Sequence, residues 1–244
     1  MVFAAGGFRR RFQSFTTMSV ILLTGGTGGL GRAVTERFLE KGHQVVATVG
    51  PGHTLDSRPN LEGYTLDLLD EAGCRQLVAD TVAHKGGIDA AVLLVGGFAM
   101  GSIADTDFAG IEEQFRLNFQ TAYQVVRPVF EQMLRQPDGG RIVLIGSRPA
   151  VLPAAGQHMV AYALSKSLLF SLSDILNAAG KEHNVVSTVV APSTIDTPLN
   201  RKEMPDADFS KWVSPADLAE IIEFVTVGAG RILREPVLKA YHKA

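Results

Sequence analysis

The sequence predicts an α/β fold: a single doubly wound parallel sheet of about seven strands, with helices on both faces. Three observations predict it. Short apolar runs rich in branched residues alternate regularly with stretches of helical periodicity from Ser19 onward. Parallel neighbours need a crossover, so strands separated by helices read as one parallel sheet covered on both sides. The length, 244 residues, lies at the upper end of what one α/β domain holds and does not require a second domain.

The elements follow in chain order. "SVILLTG" is the first strand, and "LGRAVTERFLEKG" is a helix with Leu30, Val34, Phe38 and Leu39 at helical spacing and Gly42 as its stop. "HQVVATV" and "GYTLDL" are strands two and three, "EAGCRQLVADTVAHKG" is a helix, and "IDAAVLLVGG" is strand four. "IEEQFRLNFQTAYQVVRPVFEQML" reads as a long helix in which Pro128 predicts a kink or a local break. Then come the strand "GGRIVLIGS", the helix "VAYALSKSLLFSLSDILNAAG", the strand "NVVSTVVAP", and a last helix and strand through "PADLAEIIEFV" and "EPVLKAY". No internal repeat and no long linker interrupts the series.

Composition excludes several classes. Hydrophobic residues make up 46% and charged residues 20%, with a formal net charge of -2, which argues against a disordered chain and against a basic nucleic-acid face. The single cysteine, Cys74, has no partner for an internal disulfide and no companions at metal-ligand spacing, so a reducing compartment is expected and a zinc site is not. No apolar run reaches the roughly 18 residues that cross a bilayer. Residues 1–19 stand apart, with three consecutive arginines and no acid. They read as an N-terminal extension: either an organelle-targeting segment or the product of an early start site, since Met18 immediately precedes the first strand. Residues 20–244 form the domain, and the cytoplasm is its expected location, or an organelle matrix if the extension is a targeting segment.

The turn between the first strand and first helix is "TGGTGGLG", five glycines in eight residues. Glycines at such a place can make the sharp turn, admit a pyrophosphate close to the backbone, and let the helix pack against the strand, while the helix N-terminus faces the phosphates. This is the pattern of the Rossmann-like dinucleotide-binding folds. At the end of strand two, where an acid would grip the ribose hydroxyls of NAD, the sequence has "VVATVGPGH" and no carboxylate. The lack of an acid removes a repulsion against NADP, and the reading leans to NADP over NAD. His53 and Arg58 are the nearest basic candidates.

Candidate chemistry lies further on. Tyr162 and Lys166 are four apart on a predicted helix and share one face. A phenol with a reference pKa of about 10 becomes a base near neutrality only if a fixed positive charge favours its anion; a shift of ~3 units takes about 4 kcal/mol. Ser147 ends an apolar run at the carboxyl end of a strand, where ligands bind in such sheets, and could donate a hydrogen bond to a developing oxyanion. Asn118 is a poor helix former inside a helical stretch and could bridge Lys166 to solvent through water.

In combination and order, the glycine turn, Asn118, Ser147 and the Tyr162–Lys166 pair resemble the short-chain dehydrogenase/reductase family, over nearly the whole chain from Val20 onward. The turn matches that family's TGxxxGxG form. The resemblance implies Tyr162 as general acid/base, Ser147 as substrate orienter, Lys166 as ribose ligand and tyrosine tuner, and Asn118 as anchor of the relay water. It also implies cofactor contacts at Thr24, Gly25, Thr27, Gly29, Leu30 and Gly31, at Asp67 and Leu68 on the adenine side, and at Val95 and Gly96. Pro192, Ile195 and Thr197 would hold the nicotinamide. It further implies a homodimer or homotetramer built through the helices that carry Asn118 and Tyr162, and a small carbonyl or pterin-like substrate.

Two departures stand out. Where the family has NNAG, this chain has Leu93, Leu94, Val95 and Gly96, and where it has PG, Ser193 replaces the glycine. A narrower likeness joins "GGFAMG" and "IDTPLNRKEMPDADFSKW" to quinoid dihydropteridine reductases, which use NADH to reduce a pterin. Those enzymes carry an aspartate where Gly50 sits here and lack the serine supplied by Ser147, which suits ordinary carbonyl–alcohol chemistry better. The segment from Asn200 to Trp212 reads as a mobile lid. The leading expectation is an NAD(P)-dependent oxidoreductase. A pterin reductase is the alternative within the family, and a cofactor-binding sensor or scaffold without turnover is the alternative outside enzymology.

Overall fold

The computed structural model describes residues 18–243, so the reading of residues 1–17 as an extension lies outside the described residues. The elements are β1 (Val20–Thr24), α1 (Gly29–Glu40), β2 (Gln44–Val49), β3 (Leu61–Thr65), α2 (Glu71–Lys85), β4 (Ala90–Leu93) and α3 (Phe108–Phe115). A π-helical segment, Arg116–Gln120, leads into α4 (Thr121–Met133), β5 (Gly140–Ile145), the short α5 (Arg148–Val151) and α6 (Pro153–Gly156), and α7 (Val160–Gly180). The chain closes with β6 (Val185–Pro192), α8 (Pro198–Glu203), α9 (Pro215–Thr226) and β7 (Val237–Ala240).

The seven strands form one sheet in the order β3-β2-β1-β4-β5-β6-β7, with every pair parallel. The strand order turns back between β1 and β4, which opens a crevice above their carboxyl ends. The register pairs Thr24 with Leu93, so both strands stop at the same level at that edge.

Alternation along the strands feeds two cores. In β1, Leu22 joins a cluster with Leu77 and Val78 of α2, Val125, Val126, Val129 and Met133 of α4, and Leu169, Leu172 and Leu176 of α7. Its neighbours Ile21 and Leu23 face the other way and pack with Val34 and Phe38 of α1 and Leu218, Ile222 and Val225 of α9. Successive strand side chains point to opposite faces, so a strand buried on both must be apolar throughout. Caps fix where the helices start: Asp70 accepts from the Ala72 N–H, and Ser214 accepts from the Asp217 N–H.

Of the kink or local break expected at Pro128, the structure shows no break. α4 runs through Pro128 without a break, because Val125, Val126 and Val129 around it are fully buried and packing outweighs the one missing hydrogen bond. The irregularity falls earlier, at the π segment, where the Thr121 N–H reaches back five residues to the Arg116 oxygen. The expected lid is also more ordered than a loop. It contains α8 and a 3-10 turn at Phe209–Lys211, and its base is closed by a bridge between Ile195 and Val213.

Candidate active site

The glycine turn is built by three different constraints. Gly25 has φ +76, a left-handed conformation that side chains rarely tolerate. Gly31 lies so close to the turn that a Cβ would sit 2.0 Å from the main-chain oxygen of Gly25. Gly29 faces Thr197, whose Cγ2 would lie 2.7 Å from an added Cβ, so the turn and the segment after β6 meet there. Thr24 Oγ1 accepts from the Leu94 N–H at 3.0 Å and ties β1 to the end of β4. The main-chain oxygen of Thr27 accepts from Arg32 Nε at 3.0 Å. Leu30 is buried in the core, which leaves its main chain to face the crevice.

The start of α1 has no acidic residue in its first turn and no side-chain cap on its N-terminal N–H groups. Those donors and the positive end of the helix dipole suit a phosphate. Beside this turn lies a cavity of about 590 Å³, lined in part by Gly25, Asp67, Leu68 and Val95, four residues expected at the cofactor. Asp67 is held in place by accepting the Leu69 N–H at 2.9 Å. Thr48, Gly50, Pro51 and Arg116 also line the cavity, of which only Gly50 drew notice in the sequence. Arg58 is occupied by an ion pair with Glu36.

At the other end of the crevice, α7 brings Tyr162 and Lys166 beneath the end of β5. Lys166 is buried, and its Nζ donates to the Ile145 oxygen at 2.8 Å. Burial lowers its ammonium pKa to about 8. The Tyr162 phenol is pushed up from its ordinary value by burial, while the neighbouring Ser147 hydroxyl pulls it the other way. Without cofactor, burial and not the lysine sets the phenol, so near neutrality it holds its proton. Ser147 is 3% exposed, and its Oγ makes no well-formed hydrogen bond among the described residues.

Asn118 is buried inside the π segment, not turned to solvent. Its Oδ1 accepts from the Gly97 N–H at 3.0 Å, and its Nδ2 donates to Gln114 Oε1 at 3.0 Å and Ser165 Oγ at 3.1 Å. A Cβ on Gly96 would sit 2.6 Å from Asn118 Oδ1 and 2.9 Å from Lys166 Nζ, so Gly96 is the point where the two side chains converge. π segments of this kind often mark functional sites. Gln114, one turn before Asn118, and Ser165, next to Lys166, could have been found from spacing alone.

Pro192 ends β6, and Ser193 donates through Oγ to the Tyr241 oxygen at 2.9 Å, a contact the usual glycine lacks. Thr197 caps α8, accepting from the Asn200 N–H at 3.2 Å, and Ile195 holds the base of the lid. In the lid, Arg201 clasps Asp196 through two hydrogen bonds of 2.5 and 2.7 Å and lies over the Phe209 ring. Phe98, missed as a site residue, meets the Tyr162 ring edge-on with centroids 5.1 Å apart. The cavity is not lined by Ser147 or Tyr162. Among the described residues, no cluster of His, Cys, Asp or Glu could hold a metal ion. Nor is any helix there long and apolar enough to cross a membrane.

A sequence-family model described as "short chain dehydrogenase" matches residues 19–208. The chain belongs to the short-chain dehydrogenase family. It is an oxidoreductase of that family, with the family's parallel, Rossmann-like sheet. It is 31% identical over 196 residues, 80% of each chain, to the cyclic-di-GMP-binding biofilm dispersal mediator protein of Escherichia coli (strain K12). It is 27% identical over 206 residues to the dihydropteridine reductase of Dictyostelium discoideum, covering 82% of this chain and 84% of that one. Among solved structures, "ElxO with NADP Bound" superposes with a TM-score of 0.81 at 20% identity, covering 91% of this short-chain dehydrogenase and 96% of that chain.

Proposed function

We propose that this chain moves a hydride between NAD(P) and a small carbonyl or alcohol substrate, with Tyr162 handling the proton. The observation that carries the reading is the meeting of Tyr162, the neighbouring Ser147 hydroxyl and the buried Lys166 ammonium at one end of the crevice. The other end holds the uncapped start of α1 and the open cavity.

The residues fit a nicotinamide dinucleotide. The start of α1 would hold the pyrophosphate, the cavity the adenosine, and Lys166 the ribose. When bound, the cofactor supplies or accepts the hydride. Ser147 donates to the substrate oxygen as charge builds there. Tyr162, protonated near neutrality, gives its proton to that same oxygen in the direction of reduction. Asn118 fixes the main chain at Gly97 and, through Ser165, the helix face that carries Lys166. NADP is favoured over NAD because Gly50 puts no carboxylate against a 2′-phosphate.

A quinonoid pterin is the second reading. The exposed Phe98 ring beside Tyr162 offers a flat apolar face, and one relative of the chain is a dihydropteridine reductase. The test is consumption of NADPH and NADH against a panel of carbonyl compounds and a quinonoid pterin. Turnover of a carbonyl supports the first reading and turnover of the pterin the second. Tight cofactor binding with no turnover on any substrate would move the chain to the class of ligand-binding sensors.

A homodimer or homotetramer is part of this reading. Tyr123 on α4 and Leu164, Leu168 and Ile175 on α7 are large apolar side chains left exposed on the two helices named for the interface. Sedimentation of the wild type against a Leu164→Glu/Leu168→Glu variant checks it, with dissociation expected in the variant. Buried Cys74, its thiol pushed up to about 11, is inert and suits the cytoplasm.

A further inference from the structure

Directly after Ser147 stands Arg148, a half-buried arginine that makes no ion pair among the described residues. Its Nε is shielded from solvent and has no hydrogen-bond partner. Its guanidinium lies over the Tyr241 ring, 5.6 Å from guanidinium carbon to centroid. Tyr241 in turn keeps its hydroxyl buried, with no hydrogen-bond partner among the described residues. Two shielded polar atoms in this corner, on Arg148 and Tyr241, therefore lack partners among the described residues. Buried polar groups are normally satisfied, so a shielded, unpartnered Nε on a half-buried arginine calls for an acceptor.

The position gives this cluster a purpose. Tyr241 follows β7, and its main-chain oxygen accepts from Ser193 at the foot of the segment that leads to the lid. Arg148 thus lies between the end of β5 and the start of that segment, at the carboxyl end of the sheet where Ser147 stands. Ser147 and Arg148 are consecutive residues where β5 gives way to α5. The nearest lid acid, Asp196, is already clasped by Arg201.

We infer that Arg148, supported by Tyr241, is a specificity residue that binds a carboxylate on the substrate, so the preferred substrates are oxo acids. This rests on the oxidoreductase reading above. The planar fork of arginine matches a carboxylate with two parallel hydrogen bonds, and the Tyr241 hydroxyl supplies a third donor. The tyrosine ring beneath the guanidinium holds the fork in place without neutralising it.

The test compares 2-, 3-, 4- and 5-oxo carboxylates with their methyl esters as substrates of the full chain. The wild type should favour at least one acid over its ester by tenfold or more in kcat/KM, as expected for a charge-assisted hydrogen bond. Arg148→Met should abolish that ratio, and Arg148→Lys should restore part of it. Equal use of acids and esters by the wild type, or a ratio that survives in Arg148→Met, would overturn the inference. Calorimetric titration with glutarate and with dimethyl glutarate, in the presence of cofactor, separates this claim from the catalytic one. Glutarate binding that is lost in Arg148→Met upholds the site even if no oxo compound is turned over. Equal or absent binding of both probes, with oxo compounds turned over irrespective of charge, rejects the site and leaves the oxidoreductase reading standing.

Discussion

Lys166 Nζ donates to the main-chain oxygen of Ile145, the last residue of β5, at 2.8 Å. This contact fixes a buried cation at the rim of the crevice, and burial holds its pKa at about 8. Above that pH the free protein loses the charge that would meet the ribose. NAD(P)H affinity should therefore weaken through pH 8 to 9.5, approaching tenfold per pH unit at the upper end. In Lys166→Met, binding should be weak and flat over the same range. Fluorescence titration of NADPH across that range checks both.

Gly31 and Gly42 are glycines for different reasons, and alanine separates them. A Cβ at Gly31 meets the Gly25 oxygen at 2.0 Å, whereas at Gly42 it meets nothing within 4 Å but must accept φ +80. Gly31→Ala should cost about 2 kcal/mol or more and abolish cofactor binding, because the turn itself must shift. Gly42→Ala should cost about 1 kcal/mol and leave binding unchanged. Urea unfolding and cofactor titration of both variants provide the comparison.

Cofactor preference turns on Gly50. It lines the cavity, and a Cβ there has nothing within 4 Å, so a side chain fits. Gly50→Asp should repel a 2′-phosphate and accept hydrogen bonds from ribose hydroxyls. The ratio of kcat/KM for NADH over NADPH should rise tenfold or more. An unchanged ratio would place the adenosine elsewhere.

His43 makes stability depend on pH. It is buried beside Phe38, its Nδ1 accepts from the Ser19 N–H at 3.2 Å, and burial lowers its pKa against the opposing pull of Glu223 and Asp89. Below its unfolded value of about 6.5 the unfolded chain binds a proton that the folded chain resists, so stability falls as pH drops through that value. Above it the contribution is constant. Melting temperatures at pH 7 and pH 5 should differ more in the wild type than in His43→Gln.

The fold was legible because the central strands are buried on both faces and the helices on one, so periodicity separates them. That the strands are parallel also follows from the crossovers, whereas their order in the sheet came from the structure. The glycine turn and the Tyr162–Lys166 pair were legible because one turn of helix, or one tight bend, brings their parts together. Asn118 was harder, because its partners Gly97, Gln114 and Ser165 come from three elements, and nothing in "FRLNFQTAY" announces a π segment. Pro128 misled for the opposite reason: its local rule is sound, but surrounding valines hold the helix. Arg148 carries no local signal, since its meaning comes from Tyr241, more than ninety residues away.

The central claim is that Tyr162 moves the proton. Replacing it with phenylalanine removes one hydroxyl and leaves the edge-on contact with Phe98. Steady-state NAD(P)H consumption on the best carbonyl substrate should fall by about 10²- to 10⁴-fold, with cofactor affinity retained. Turnover at the wild-type rate in Tyr162→Phe would contradict the account.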